Sequence, residues 1–411
     1  MFTKWFCCGQ TISLFDAKHE SCTAFLKFEE TAMLKSLHIR QFTVFQDASF
    51  EFSPGLNVII GDNGTGKTHV LKLAYLFSRA WPDLTAKPLR LMGKDNAQAY
   101  LSERLAGLFR VSDLSLLARQ GQKSNARLVA EVSAHVPTVQ IRMGSEPPFQ
   151  SSGMPESMHW DVQIQRNKEA AGTLKASVVP DVVPDTAAIN AFLPRQVFVP
   201  SKEMVSLFKG LIGLFDRYRE FPLDETYRDL AVAMSTLEPR EASSLLPDVM
   251  QRIQKLLGGD LKLDGGELVF ERPDGSRLES QLLAEGHRKL AMLIYLLRYG
   301  VIERGSTLFW DEPEANLNPA AIKLLAEALF LLTGLGVQVI LATHSLFLLR
   351  EFEILQVASQ QPDRPLPCYF GLGLQRGQSV VSQGNDITSI DPLVLLDENL
   401  LQSDRYMEVS Q

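Results

Sequence analysis

Cysteine is scarce: Cys7, Cys8, Cys22 and Cys368 are the only four in 411 residues. They form no CxxC pair and no Cys/His cluster at metal-ligand spacing, which argues against a zinc site or a disulfide framework and leaves free thiols. Long apolar runs are missing too. None approaches the roughly 18 to 20 residues of a membrane-spanning helix, so no membrane partner and a cytoplasmic location are expected. Nor is there an excess of positive charge. Lys and Arg number 41 against 48 Asp and Glu, a formal charge of −7, which disfavours a protein that coats nucleic acid but leaves room for a local patch. Internal repeats, low-complexity tracts and sustained heptads are absent. What remains is 45% hydrophobic, enough for two lobes or one large α/β domain with an insertion.

Residues 1–32 are too broken in polarity for a signal peptide, with Lys4 before Trp5-Phe6-Cys7-Cys8 and charges at Asp16, Lys18 and Glu20. They read as a loose extension of uncertain order, or as the product of a misplaced start codon. Alternation from Leu34 to Phe52 predicts a hairpin. Leu56 to Ile60 predicts a buried strand, and Val70, Leu73, Ala74 and Phe77 recur at helical spacing after a glycine-rich turn. Residues 82–200 are irregular, with alternation at 127–143, 160–165 and 195–199. The stretch from Met204 to Leu257 is mostly helical. A hairpin turning at Pro273-Asp274-Gly275 follows, then a helix near 286–299, the strand Thr307 to Trp310, a helix near 319–332 and the strand Val337 to Leu341. The tail from 351 mixes short strands with a helix near 393–401. This alternation predicts an α/β fold, with a mainly parallel sheet, an added antiparallel sheet and a helical insertion. The expected division is 1–32 extension, 33–200 N-lobe, 201–258 helical insertion and 259–411 C-lobe.

Gly61-Asp62-Asn63-Gly64-Thr65-Gly66-Lys67-Thr68 fits GxxxxGK[ST] between a strand and a helix. Glycines let successive N–H groups curl around phosphate oxygens, and the helix start adds partial positive charge. Lys67 is expected at the β- and γ-phosphates, and the Thr68 hydroxyl on Mg²⁺. Thr307 to Trp310 is an apolar strand ending in Asp311-Glu312-Pro313. Asp311 is expected to hold Mg²⁺ and Glu312 to polarise the attacking water. The strand Val337 to Leu341 leads to Ala342-Thr343-His344-Ser345, which places His344 beside the γ-phosphate.

Together these motifs resemble the non-transporter branch of the ABC-type ATPases. That branch includes the SMC heads, the RecF-type repair ATPases and the ATPases of the overcoming-lysogenization-defect type. The resemblance spans about Leu34 to Leu349. Gly61 to Thr68, with Asn63, looks like that branch's phosphate loop, Asp311-Glu312-Pro313 its Walker B and Asn316-Leu317-Asn318-Pro319 its D-loop. His344 resembles its switch histidine. Leu283-Ala284-Glu285-Gly286-His287 takes the place of the LSGGQ signature, with Ala284 where Ser is usual. The resemblance implies that Gly286 offers a backbone N–H to the γ-phosphate on another protomer, that Asn318 lines the nucleotide, and that Arg288 or Lys289 replaces the lost hydroxyl contact. After Val199-Pro200, where many relatives carry Gln, this chain has Ser201, Lys202 and Glu203, one of which is expected to do the Gln's work. Pro200 to Leu207 also looks like a segment of compact bacterial ATPases linked to phage defence.

The implied cofactors are ATP and Mg²⁺, and the implied partner is a second copy, in a homodimer or larger assembly. Only 67 residues follow His344, fewer than the nuclease domain of the overcoming-lysogenization-defect type, so the first functional expectation is a sensor or scaffold ATPase of a defence module with a separate effector protein. The alternative is a RecF-like repair ATPase that binds DNA. Arg79 to Arg127 holds nine Lys/Arg against four Asp/Glu, and Arg40 and Phe42 are candidates for base contact. A transporter subunit ranks third.

Overall fold

The computed structural model describes residues 12–15, 21–27, 33–85, 94–119, 125–133, 138–143, 149–150, 157–165, 173–179, 195–218, 221–235, 247–359, 364–391 and 394–409. One sheet of eleven strands organises it. From edge to edge the order is Thr173–Val179, Ser157–Gln165, Ala126–Ser133, Leu34–Phe42, Phe45–Glu51, Gln378–Gly384, Cys368–Gln375, Leu56–Gly61, Gln338–Thr343, Thr307–Asp311 and Gln196–Val199. The last five run parallel to one another. The hairpin and the strands outside it run antiparallel. The two halves join through Ser379↔Phe45, so the expected antiparallel addition is continuous with the parallel sheet.

The parallel strands are buried on both faces, hence their unbroken apolar runs. Alternate residues serve opposite cores. Val58, Ile60, Leu308, Trp310, Val339 and Leu341 enter the core shared with the helices Glu225–Ser235, Pro247–Leu257, Glu285–Arg298 and Pro319–Gly334. Ile59, Phe309, Ile340 and Phe198 face the other core, beneath the helices Lys67–Thr85 and Lys94–Phe109. Tyr75 packs edge-on to Phe198 and Phe309 there, with ring centroids 5.3 and 5.6 Å away.

Three details differ from the sequence expectations. Asp260–Asp264, Glu267–Glu271 and Arg277–Glu279 form three strands with two turns. The unforeseen first turn is Gly265-Gly266, both at positive φ (57° and 84°), as a tight two-residue hairpin demands. The tail begins with a helix, Leu346–Ala358, capped by the Ser345 hydroxyl, and its strand Cys368–Gln375 lies directly beside Leu56–Gly61. Within residues 1–32, Ile12–Phe15 and Ser21–Lys27 are strands of a separate sheet with Thr138–Met143 and Phe149–Gln150. Cys7 and Cys8 lie outside the described residues. No described helix is long and apolar enough to cross a membrane.

Candidate functional site

Parallel pairing brings three strand ends to one edge. Asp311 pairs with Ala342 and Thr343 with Ile60, so Gly61, Asp311 and His344 emerge side by side. The loop from Gly61 to Thr68 is shaped by close approach. A β-carbon at Gly61 would stand 2.3 Å from the Leu372 carbonyl oxygen, and one at Gly66 2.6 Å from the Phe45 ring. Gly66 also sits at φ 95° and Gly64 at 81°, conformations that glycine adopts at little cost. The Thr65 hydroxyl donates to the Asp62 carbonyl (2.8 Å), and the Ser379 hydroxyl donates to the Thr65 carbonyl (2.8 Å). Asp62, Asn63 and Gly64 are exposed.

The Lys67 ammonium is buried and donates to the carbonyls of Gly61 (2.7 Å) and Asp62 (2.9 Å). Burial lowers its pKa, against the opposing pull of Glu312 and Asp311. The Thr68 hydroxyl donates to Asp311 Oδ2 at 3.0 Å. Burial, aided by Glu312, pushes the Asp311 carboxyl up to about 6, while the Thr68 hydrogen bond works the other way. A hydroxyl and a carboxylate at this separation suit Mg²⁺, which prefers few hard oxygen ligands plus water and phosphate.

Glu312 follows with φ 48°, a left-handed conformation rare for a residue with a side chain. Its N–H donates to the Ala342 carbonyl (2.9 Å), and its Oε1 lies 3.4 Å from His344 Nδ1. His344 is half-exposed at the mouth of the site. Sequence reasoning missed Glu314, buried behind it. Its Oε1 accepts from the Thr343 hydroxyl (2.7 Å) and the His344 N–H (3.3 Å) and stands 3.8 Å from His344 Nδ1. Its Oε2 finds no donor among the described residues. An acid two residues past Glu312 in the same turn was the available signal. Ser379 gave none, because its contact is made 314 residues away.

Other expected residues take different places. The Asn318 side chain caps the helix Pro319–Gly334 by accepting from the Ala321 N–H (2.9 Å). Gly286 is buried against the turn after Glu312: a β-carbon there would come 2.5 Å from the Asn316 carbonyl oxygen. Arg288 and Lys289 are not free to replace a hydroxyl for another protomer. Arg288 Nε donates to Glu203 Oε2 (2.7 Å), and its Nη1 to the carbonyls of Gln281 and Leu283. Lys289 is 1% exposed and turns inward. Glu203 is committed as well, since it also accepts from the N–H groups of Val205 and Ser206. Ser201 and Lys202 remain for the missing Gln.

Among the described side chains, the five arginines of the basic stretch find partners within the chain. Arg79, Arg104 and Arg127 pair with carboxylates, and Arg110 and Arg119 donate to carbonyls. Lys87, Arg90 and Lys123 lie outside the described residues. Phe42 is fully buried against Phe109 and cannot stack on a base, whereas Arg40 is exposed and paired with Asp47.

Residues 197–350 match the family described as an AAA domain, putative AbiEii toxin, type IV toxin–antitoxin system, and residues 36–73 match a second AAA-domain family. The chain is 34% identical over 113 residues to the DNA replication and repair protein RecF of Streptococcus equi subsp. zooepidemicus, covering 26% of this chain and 30% of that protein. It is 34% identical over 70 residues to RecF of Limosilactobacillus reuteri, covering 17% and 19%. The matched segments thus span less than a third of these relatives. Among solved structures, an SMC head bound to the C-terminal winged-helix domain of ScpA aligns with TM-score 0.49 at 15% identity, covering 86% of this chain and 98% of that one. The SMC head domain of Thermotoga maritima aligns with TM-score 0.43 at 14% identity, covering 85% and 98%.

Proposed function

We propose that this chain carries a P-loop ATPase head of the SMC/RecF-like ABC branch, which binds Mg-ATP at Gly61 to Thr68 and hydrolyses it. The observation that supports this best is the meeting of Lys67, the Thr68–Asp311 pair and the Glu312–His344 pair at one edge of the parallel strands. Lys67, now donating to two loop carbonyls, turns to the β- and γ-phosphates. The first-turn amides of the helix, which have no acceptor inside it, bind phosphate oxygens. Thr68 and Asp311 hold Mg²⁺, which neutralises phosphate charge when bound. Glu312 orients the attacking water and accepts its proton, and His344 contacts the γ-phosphate.

The cycle runs between two copies in the cytoplasm, with the Gly286 helix start of one facing the phosphates of the other. The matched family description names a putative toxin of a type IV toxin–antitoxin system, and within that setting we infer a sensor or scaffold of an anti-phage module that acts with a separate effector. The RecF similarity favours a second reading, a repair ATPase on DNA. The decisive measurement is the solution mass of Glu312→Gln by light scattering, with and without Mg-ATP. The expected outcome is a doubling of mass with nucleotide, and phosphate release at least about 100-fold below the unsubstituted chain. A mass indifferent to Mg-ATP rules out ATP-gated association. Salt-sensitive binding to a DNA duplex, lost between about 50 and 200 mM salt, would turn the role toward repair.

A further inference from the structure

Among the described residues, Lys289 is a buried cation that this scheme leaves unused. It lies in the first turns of the helix Glu285–Arg298 and is 1% exposed. Its Nζ donates to the Glu312 carbonyl at 3.2 Å. Four carboxylates surround it: Glu285 on its own helix, Glu312 and Glu314 after the strand Thr307–Asp311, and Glu203 after the strand Gln196–Val199. Burial draws its pKa down while these carboxylates oppose the shift.

The acceptor is the unusual part. Glu312 holds a left-handed backbone at φ 48°, which costs a side-chain-bearing residue about 1 kcal/mol or more. Such a conformation persists only when its surroundings fix it. The Ala342 carbonyl takes the N–H on one side of Glu312, and Lys289 grips the carbonyl on the other. Gly286, three residues earlier on the same helix face, touches the Asn316 carbonyl of the same turn. Asn316 Nδ2 also donates to Glu285 Oε1 (2.8 Å), so the helix that begins at Glu285 holds the turn at three points.

We infer that Lys289 is a positioning residue for hydrolysis: by holding the Glu312 carbonyl it fixes the direction of the Glu312 carboxylate, so that any displacement of the helix Glu285–Arg298 is delivered to the water-orienting group. The inference rests on the proposed hydrolysis at Glu312. It also changes how the Gly286 helix works, because that helix acts on the site of its own chain as well as facing another.

The test compares the full chain with Lys289→Met, which keeps the length and apolar stem of the side chain, and with Lys289→Arg, which keeps the charge. For Lys289→Met the expected result is a kcat lower by about tenfold or more, with KM and ATP binding within about twofold. Lys289→Arg recovers at least about a third of the lost rate. On the Glu312→Gln background, Lys289→Met costs no further rate, because both act through one group. A kcat unchanged in Lys289→Met, or losses that multiply on that background as a general packing lesion would, overturns the inference. Amide exchange over Trp310 to Leu317 reads the positioning without turnover: it should quicken about tenfold in Lys289→Met, and unaltered exchange also overturns the inference. If the unsubstituted chain releases no phosphate yet this segment responds, the hydrolysis reading fails and the positioning contact stands.

Discussion

The helix Lys67–Thr85 carries two polar clusters that treat charge in opposite ways. At its first turn, Lys67 and Thr68 are held by contacts a ligand can replace: two loop carbonyls and one buried carboxylate. Further along, Lys72, Tyr75 and Arg79 are locked to the neighbouring helices. Lys72 donates to Asp224 (2.8 Å) and to the Leu108 carbonyl (2.9 Å). Tyr75 donates to Asp229 (2.8 Å), which also receives Arg79 and Arg104, and Arg79 and Tyr100 share Asp83. Every charge there has an opposite at hand, whereas the first turn leaves its carboxylates crowded together. Burial chiefly, with Glu312 adding, raises Asp311 to about 6. Paired charges specify how helices dock, and underpaired ones suit the phosphate and metal of the proposed function.

The sharpest way to break this contrast is to remove the centre of the paired cluster. Asp229 is 6% exposed at its side chain, and Asp229→Ala would remove the carboxylate shared by Arg79, Arg104 and Tyr75, leaving Arg79 only the carboxylate of Asp83 and Arg104 only that of Glu225. The expected loss is about 3–5 kcal/mol of stability, read by chemical denaturation, with ATP affinity per folded molecule unchanged. A loss below about 1 kcal/mol would mean that the cluster is no more than a set of screened surface pairs.

Lys67→Met probes the other cluster. ATP binding should fall about 100-fold, near 2.7 kcal/mol, while the melting point of the nucleotide-free chain stays within about 3 °C, since only two exchangeable hydrogen bonds are lost. If the melting point drops as far as in Asp229→Ala, the two clusters are not different in kind and the lysine is structural.

The two clusters were unequally legible in the sequence. The nucleotide end is local: glycine spacing, a strand before it and a helix after it, and apolar strands ending in Asp311-Glu312 or His344, all stated within a few residues. The docking cluster joins residues up to 154 positions apart, and no pattern in the chain announces that Asp229 will meet Tyr75. The strand Cys368–Gln375 was obscure for the same reason, since its place beside Leu56–Gly61 is set by long-range pairing. Direction was obscure too. The family resemblance assigns Lys289 or Arg288 a contact with another protomer's nucleotide, yet Lys289 is followed by eight buried residues, Leu290 to Leu297, and turns into the protein with them. Phe42 is a candidate for base contact in the sequence and buried in the fold, because alternation tells which residues share a face, not which face is covered.

His69 stands between the clusters and supplies the smallest test. Its Nδ1 lies 2.9 Å from the Thr43 hydroxyl, its ring meets Phe109 edge-on, and burial, with Lys72 adding, pushes its pKa down to about 4. An unfolded histidine titrates near 6.5, so between these values the unfolded chain takes a proton that the folded chain refuses. The contribution of His69 to stability is therefore full above about pH 6.5 and declines as the pH falls toward 4. At pH 5 the expected decline is about 2 kcal/mol. His69→Gln keeps a polar partner for Thr43 and cannot titrate. Its denaturation midpoint, measured against the unsubstituted chain at pH 7.5 and pH 5, should gain relative ground at the lower pH. An equal gap at both values would mean that His69 takes up its proton in the folded chain as readily as in the unfolded one. In that case His69 would belong with the paired charges further along the helix, and the boundary between the clusters would lie directly after Thr68.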